Sequence, residues 1–436
     1  MNEPRVPGRR RPVSAAAQLA VGVVLAAFAA AWCRLERAGE PASALQPQRL
    51  LVFNHKRDLD IPLLARALLG PRTWATWPGR LVFVGSSELY LPGFLALYFP
   101  QLGPLRWALM GLNIGPVLRT LRVLPVSTPG PRLLAVWLRE AADSFGADRP
   151  LYALLTPEWA ARLAGAGLPP GTTLARALHP RYRTALAHDV PPEAFQPHLR
   201  QRLALAAARR AQAHLGALAA ELAAGNMVVL APEGNVSPDG WLQRFRSGLV
   251  RLLKAVPGAE VVPVGITYDV LVPGRPRAFL RVGAPLSGLS ERPRREIVQT
   301  VRRHLAGLNT VTLAQLLGWV LLDELDSQVA ALDRAELARR VWRYAAALAA
   351  EGYALDRQLL EPSQFERALA SRLRGARGWG LAMSGSAVWV DWRLLRGPVI
   401  SWRHNPLAYA RNELASMLHE TGGLPERAPG GPPVRA

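Results

Sequence analysis

Apolar residues follow two rhythms along this chain. Short runs read as buried strands: LLVF (residues 50–53), LVFV (81–84), LRVLPV (121–126), MVVLA (227–231) and VVPVGITY (261–268). AFLRVG (278–283) supplies a further strand, and between the runs IPLLARALL and residues 196–224 carry helical spacing. This alternation predicts an α/β fold, a mixed central sheet covered by helices. From Arg302 onward, LAQLLGWVLLDEL and AELARRVWRYAAALAAEGY predict a largely helical C-terminal extension. Residues 146–195 are rich in Pro, Gly and Ala with weak periodicity, and read as an insertion on the surface of the sheet domain.

Near the N-terminus residues 13–33 run without a charge. At ~1.5 Å per residue such a helix reaches about the ~30 Å of a bilayer core. Nine of its 21 residues are alanine, which drives insertion weakly, so a buried or surface Ala-rich helix is the alternative to a membrane helix. Arg5, Arg9, Arg10 and Arg11 precede it and Arg34, Arg37 and Arg49 follow, so basic flanks do not orient it. A cleaved signal is the weaker reading, because no small-x-small site follows the run. The organisation predicted is a basic tail (1–12), a membrane-associated helix (13–37), an α/β domain (45–300, insertion 146–195) and the helical extension (301–436).

The charge is one-sided. Net charge is +21, and Lys56 and Lys254 are the only lysines, so arginine carries nearly all of it. Arginine suits planar recognition of phosphate. Nucleic acid is not the expected partner, because zinc-finger spacing, basic-zipper heptads and aromatic RNA-binding signatures are all missing from the sequence. An anionic membrane surface attracts the same charge. The single cysteine, Cys33, excludes an internal disulfide framework and a Cys-rich metal site, and no metal is expected.

Candidate chemistry begins at Asn54-His55-Lys56-Arg57-Asp58-Leu59-Asp60, directly after a predicted strand. Histidine is suited to take and return a proton near neutral pH, and a carboxylate can hold one imidazole tautomer. On one ideal helix His55 and Asp60 would not share a face. They meet if His55 lies in the turn leaving the strand and Asp60 opens the next helix, where Pro62 is well placed. His188 and Glu193 share the spacing but flank Pro191 and Pro192, and read as incidental. A second segment, Ala231-Pro232-Glu233-Gly234-Asn235, also leaves a strand. Glu233 is expected to hydrogen-bond an acceptor hydroxyl, and Gly234 to permit close approach. The third, Val262-Pro263-Val264-Gly265-Ile266, is a strand interrupted by Pro and Gly, which suggests an edge strand or a close backbone approach.

In this order and these contexts, the three segments resemble the glycerolipid acyltransferase family, whose best-known members are the 1-acylglycerol-3-phosphate acyltransferases. NHKRDLDIPLL matches its H-x-x-x-x-D block, APEGNVSPDG its proline-glutamate-glycine block, followed by RFRSGLVRLL, and VVPVGITYD its fourth block. The resemblance covers roughly residues 50–285. It implies O-acyl transfer from acyl-CoA or acyl-carrier protein to a lysophospholipid or glycerol-phosphate hydroxyl, with no further cofactor. His55 and Asp60 would be catalytic; Asn54, Glu233, Gly234, Arg244, Arg246 and Pro263 would bind substrate, and amides near Gly234 or Pro263 would stabilise the oxyanion. The partner would be membrane lipid, with the catalytic domain on the cytoplasmic side, where acyl thioesters are found.

Two departures concern the acceptor. Asn235 and Val236 follow Gly234 where the family commonly has threonine and arginine, and LRVLPVS ends in Ser127 where an arginine is common. Arg119, Arg122, Arg244, Arg246 and Lys254 are candidate substitutes, or the acceptor lacks a phosphate. A catalytically inactive lipid-binding protein is the other alternative. A serine hydrolase is disfavoured because no G-x-S-x-G elbow occurs. Tyr409-Ala410-Arg411-Asn412 loosely resembles the C-terminal region of larger glycerol-3-phosphate acyltransferases, but reads better as a structural helix.

Overall fold

The computed structural model describes residues 12–39, 45–68, 78–91, 93–98, 109, 112–126, 132–324 and 330–423; the basic tail through Arg11, and Ser127, lie outside them. The chain divides into two compact units, residues 1–81 with 222–436, and residues 82–221.

The first unit is built on a mixed sheet of β1 (Arg34–Ala38), β2 (Arg49–Phe53), β3 (Met227–Leu230), β4 (Glu260–Asp269) and β5 (Arg277–Val282), in the order β1-β5-β4-β2-β3. β2 runs parallel to both β3 and β4, and β5 runs antiparallel to β4. Every residue of β2 and β3 is buried, which is why β3 and residues 50–53 of β2 read as unbroken apolar runs rather than alternations; Arg49, at the start of β2, is buried in a pair with Glu260. The mixed, helix-covered α/β architecture is the one expected. β1 escaped the sequence reading: RLERA is mostly charged and exposed, yet it pairs in parallel with the edge of β5.

β4 corrects one expectation. It lies between β2 and β5 and is no edge strand. Pro263 pairs in register with Val52, while its carbonyl accepts from Gly283 N–H on the β5 side at 2.9 Å. A strand residue's N–H and C=O point the same way, so the missing N–H faces the end of the β5 ladder and no bond to β2 is lost. The close-approach alternative holds at Gly265, where a Cβ would stand 2.7 Å from the Leu308 backbone.

Helix α1 (Pro12–Trp32) packs on α2 (Asp60–Leu68). Ser14, Ala15, Gln18, Gly22 and Ala29 form its buried side, and Gln18 bonds to Leu81 O (2.7 Å) and Gly79 N (2.6 Å). At ~100° per residue, Val13, Val23 and Val24 fall on the opposite side and Leu19 and Phe28 on its two flanks, and all five are exposed. Arg66 closes the helix by donating to Ala29 O and Cys33 O at 3.3 and 3.1 Å.

The rest of this unit is mainly helical: α3 (Gly248–Ala255), α4 (Arg294–Gly307), α5 (Leu313–Trp319), α6 (Arg334–Ala350), α7 (Pro362–Gly375) and α8 (Pro406–Thr421). Leu316, Leu317, Val341, Leu369 and Leu414 share one core there. A small antiparallel sheet joins them: β6 (Ala331–Asp333), β7 (Leu381–Ser384) and β8 (Ala387–Val390), in the order β6-β8-β7. α8 starts where the Asn405 side chain accepts from Ala408 N–H, with Pro406 in the first turn, and stops at Gly422 in the left-handed region.

In the second unit residues 83–86 of the strand Leu81–Ser86 pair in parallel with Val123–Val126. Its core surrounds the helix Leu134–Phe145, and residues 146–195 contribute Leu151, Leu154, Leu163 and Phe195 to it. The helices in that stretch have nine residues or fewer, too short to show a periodicity in sequence.

Candidate active site

β2 ends at Phe53, and the next six residues make a turn that closes on Asp60, the first residue of α2. His55 Nδ1 lies 2.8 Å from Asp60 Oδ2. The same oxygen accepts the backbone N–H groups of Lys56 (2.7 Å) and Arg57 (3.0 Å). Oδ1 accepts the Tyr268 hydroxyl at 2.7 Å. Because Oδ2 acts as an acceptor for all its neighbours, Nδ1 carries the proton, and Nε2 is left with its lone pair. Asp60 is fully buried while the His55 side chain keeps 23% of its surface exposed, so the ring has one fixed edge and one reachable edge. His188, by contrast, turns its Nδ1 to the Thr184 carbonyl at 2.8 Å, as an incidental pair should.

The His55 pKa is raised above the usual histidine value. Burial pulls it down, but the hydrogen bond and charge of Asp60, with the charges of Glu233 and Asp58, outweigh that. Burial and the neighbouring Asp60 hold the Tyr268 hydroxyl well above its ordinary pKa, so it stays a donor.

Glu233 occupies the turn after β3, and its carboxylate faces inward. Oε1 accepts His55 N–H at 2.8 Å and Oε2 accepts Gln243 N–H at 2.7 Å. Burial raises its pKa, against the pull of Lys56 and of these two amides. Ser237 N–H completes the tie by donating to His55 O at 2.8 Å. The residue expected to meet an acceptor hydroxyl thus clamps the backbone beneath the histidine. Asn54 is also turned inward: its side chain exchanges hydrogen bonds with Ile266 O (2.9 Å) and Ile266 N (2.7 Å), continuing the β2–β4 ladder one step past the strand.

The other expected substrate contacts are more scattered. Pro263 is internal to β4 and has no N–H, and Gly234 N–H donates to Ala231 O at 3.1 Å with the glycine at φ +81°. Neither of these two supplies a free amide for an oxyanion. Arg246 is exposed and leans on the Glu233 carbonyl at 3.4 Å; Arg244 is exposed on the same loop. Lys254 is committed to the Ser290 and Arg292 carbonyls at 2.7 and 2.9 Å. Arg119 and Arg122 belong to the second unit, where Arg122 pairs with Glu221.

Several residues around the histidine carried no signal in sequence. Arg57 is buried, with its guanidinium 4.3 Å from the Tyr268 ring centroid and 3.8 Å from that of Trp402. Burial lowers its pKa below the usual guanidinium value. Lys56 reaches down to Gly240 O (2.9 Å) and to Glu413 of α8 (3.2 Å), both side chains being 3% exposed. One face of α8 therefore supports the site. Tyr409, Asn412, Glu413 and Ser416 contact Ser237 O, Asp239 O, Lys56 and Leu242 N in turn. Their i, i+3, i+4, i+7 spacing was the available signal, but polar residues on a helix face usually mark solvent. Among the described residues no cluster of metal-ligating side chains occurs.

No family model and no curated protein matches the chain. Among solved structures it is similar to the crystal structure of the 1-acyl-sn-glycerophosphate (LPA) acyltransferase PlsC from Thermotoga maritima, at 14% identity and a TM-score of 0.34, over 67% of this chain and 76% of that one. So loose a likeness carries no weight for the chemistry, which is read from this chain's own residues.

Proposed function

We propose that this protein is a membrane-associated O-acyltransferase in which His55 is the general base. The observation that carries the reading is the His55–Asp60 pair, with one ring nitrogen held at 2.8 Å and the other without a hydrogen-bond partner among the described residues. The motif resemblance supplies the reaction class. The acceptor hydroxyl passes its proton to Nε2 as its oxygen attacks the thioester carbonyl. The tetrahedral intermediate then collapses, the carbon–sulfur bond breaks, and the departing thiolate takes the proton back from Nε2. General-base help of this kind contributes about 10²–10⁴-fold. Arg246, beside Glu233, with Arg244, would meet a phosphate on the acceptor.

Membrane contact is assigned to α1. It is long and apolar enough to cross a bilayer, yet one side packs on α2 while Val13, Val24 and Phe28 face outward. A helix with one side on protein and the other apolar and exposed suits embedding at the interface better than a free-standing span. Thioester donors put the catalytic unit on the cytoplasmic side.

The test is transfer itself. Purified full-length protein in detergent, given labelled acyl-CoA or acyl-carrier protein and acceptors with and without phosphate, should yield acylated acceptor, identified by mass spectrometry. His55→Ala should abolish product while leaving the melting curve in place; near-full activity in that variant removes His55 as the base.

A further inference from the structure

A cleft of about 420 Å³ opens beside the C-terminal end of α1, lined by Arg34, Arg275, Arg277, Arg367 and Arg372, with Gln358 among the other wall residues and no acidic side chain in the wall. The five arginines are of two kinds. Arg277 and Arg372 are buried and held by carboxylates: Arg277 bonds to Asp356 at 2.5 and 2.8 Å and pairs with Glu36, and Arg372 bonds to Asp269 at 2.9 and 2.7 Å. Both also donate to Gln358 Oε1, at 2.5 and 2.8 Å, so the floor is rigid. Arg34, Arg275 and Arg367 are exposed around it. Arg275 donates to the Cys33 carbonyl (3.1 Å) and Arg367 to the Ser363 carbonyl (3.2 Å). None of these three meets a carboxylate among the described residues, so their charge is uncompensated and faces the cleft's mouth.

Guanidinium groups converging on an open space that no carboxylate lines form a receptor for phosphate oxygens. Position narrows the source. Arg34 comes two residues after the last residue of α1 and opens β1, its N–H donating to Pro276 O at 2.8 Å. The cleft thus begins where the apolar helix joins the folded body.

We propose that this cleft binds a phosphate group, and that the phosphate belongs to the headgroup of an anionic membrane phospholipid. The phosphate chemistry stands on the cleft alone; the lipid source rests on α1 meeting a membrane, as proposed above.

Binding is measured by calorimetry on the full chain in neutral maltoside micelles, with no acyl donor present. The probes are micelles doped with phosphatidylglycerol, micelles doped with phosphatidylcholine, and inorganic phosphate. Phosphatidylglycerol should bind in a salt-sensitive way and phosphatidylcholine at least tenfold more weakly. The double variant Arg275→Gln, Arg367→Gln should lose at least tenfold in affinity with its melting temperature unchanged, since neither side chain is in an ion pair among the described residues. A control on exposed α4 positions, Arg295→Gln with Arg303→Gln, removes the same charge elsewhere and should bind like the parent. If the double variant fails to fold, Arg34→Gln repeats the measurement at an exposed position. His55→Ala should bind as the parent does, so a chain without transferase activity still tests the cleft. Inorganic phosphate binding as tightly as phosphatidylglycerol, and lost in the double variant, keeps the phosphate site and overturns the lipid source. Equal binding of every probe by parent and double variant overturns the proposal.

Discussion

The Tyr268 hydroxyl donates to Oδ1 of Asp60 at 2.7 Å, while the other oxygen of that carboxylate faces the imidazole of His55. A tyrosine on the strand next to β2, 208 residues away in sequence, thus sets how strongly Asp60 draws on the histidine's proton. Tyr268→Phe keeps the ring under Arg57 and removes only the donor. A buried acceptor left unpaired costs ~1–3 kcal/mol, so the unfolding free energy should fall by about that amount. Asp60 would then hold the imidazole proton more tightly, and the acid limb of kcat/KM should move to higher pH. A stability loss with an unmoved limb would show that Tyr268 supports the fold without tuning the pair.

If His55 is the base, the pH profile of the parent protein follows from the raised His55 pKa. The base works in its neutral form, so kcat/KM should fall as pH drops, with a midpoint above the ordinary 6.5. Asp60→Asn removes both of the largest upward influences, and its midpoint should shift down while the maximal rate falls on the order of 10²-fold or more. In the folded state the protonated ring is favoured over the unfolded chain. That contribution to stability is complete below the unfolded pKa and disappears as pH rises through the folded one. Denaturant midpoints taken across this range check the sign.

Glu233 is expected to behave as a clamp. Glu233→Gln keeps one acceptor but turns an N–H₂ toward one of the two amides that now donate to it, so a loss of ~1–3 kcal/mol in stability is expected. Because the Glu233 charge helps raise the His55 pKa, the acid limb should shift slightly downward. A variant with unchanged stability and a KM effect confined to the acceptor would restore Glu233 to the role of substrate contact.

The Lys56–Glu413 pair joins the turn that carries His55 to α8 inside the protein. Removing one charge strands the other, at about 3–5 kcal/mol, so Lys56→Met should melt much earlier than the parent. Lys56→Met with Glu413→Gln should recover a large part of the loss. Additive losses in the double variant, read from chemical denaturation, would mean the two side chains are not coupled.

The sheet and the pair at its exit were legible because they are local. β3, and β2 from Leu50 onward, are apolar at every residue, as strands buried on both faces commonly are. His55 and Asp60 are close in sequence, and Pro62 marks the helix start that lets them meet. β1 was hidden for the opposite reason: an exposed edge strand of charged residues shows no apolar pattern, and only the free side of β5 makes it a strand.

What the amino-acid order determined by itself is the kind of residue at each turn: an imidazole with a carboxylate five positions on, a glutamate after a second strand, an apolar helix of 21 residues. Direction and company came only with the tertiary fold. It turned Glu233 and Asn54 inward, put Tyr268 on Asp60, and laid α8 against the turn through Glu413. Side-chain type is a local property, but which lone pair meets which donor depends on strands and helices brought together from opposite ends of the chain, and no spacing along it encodes that meeting.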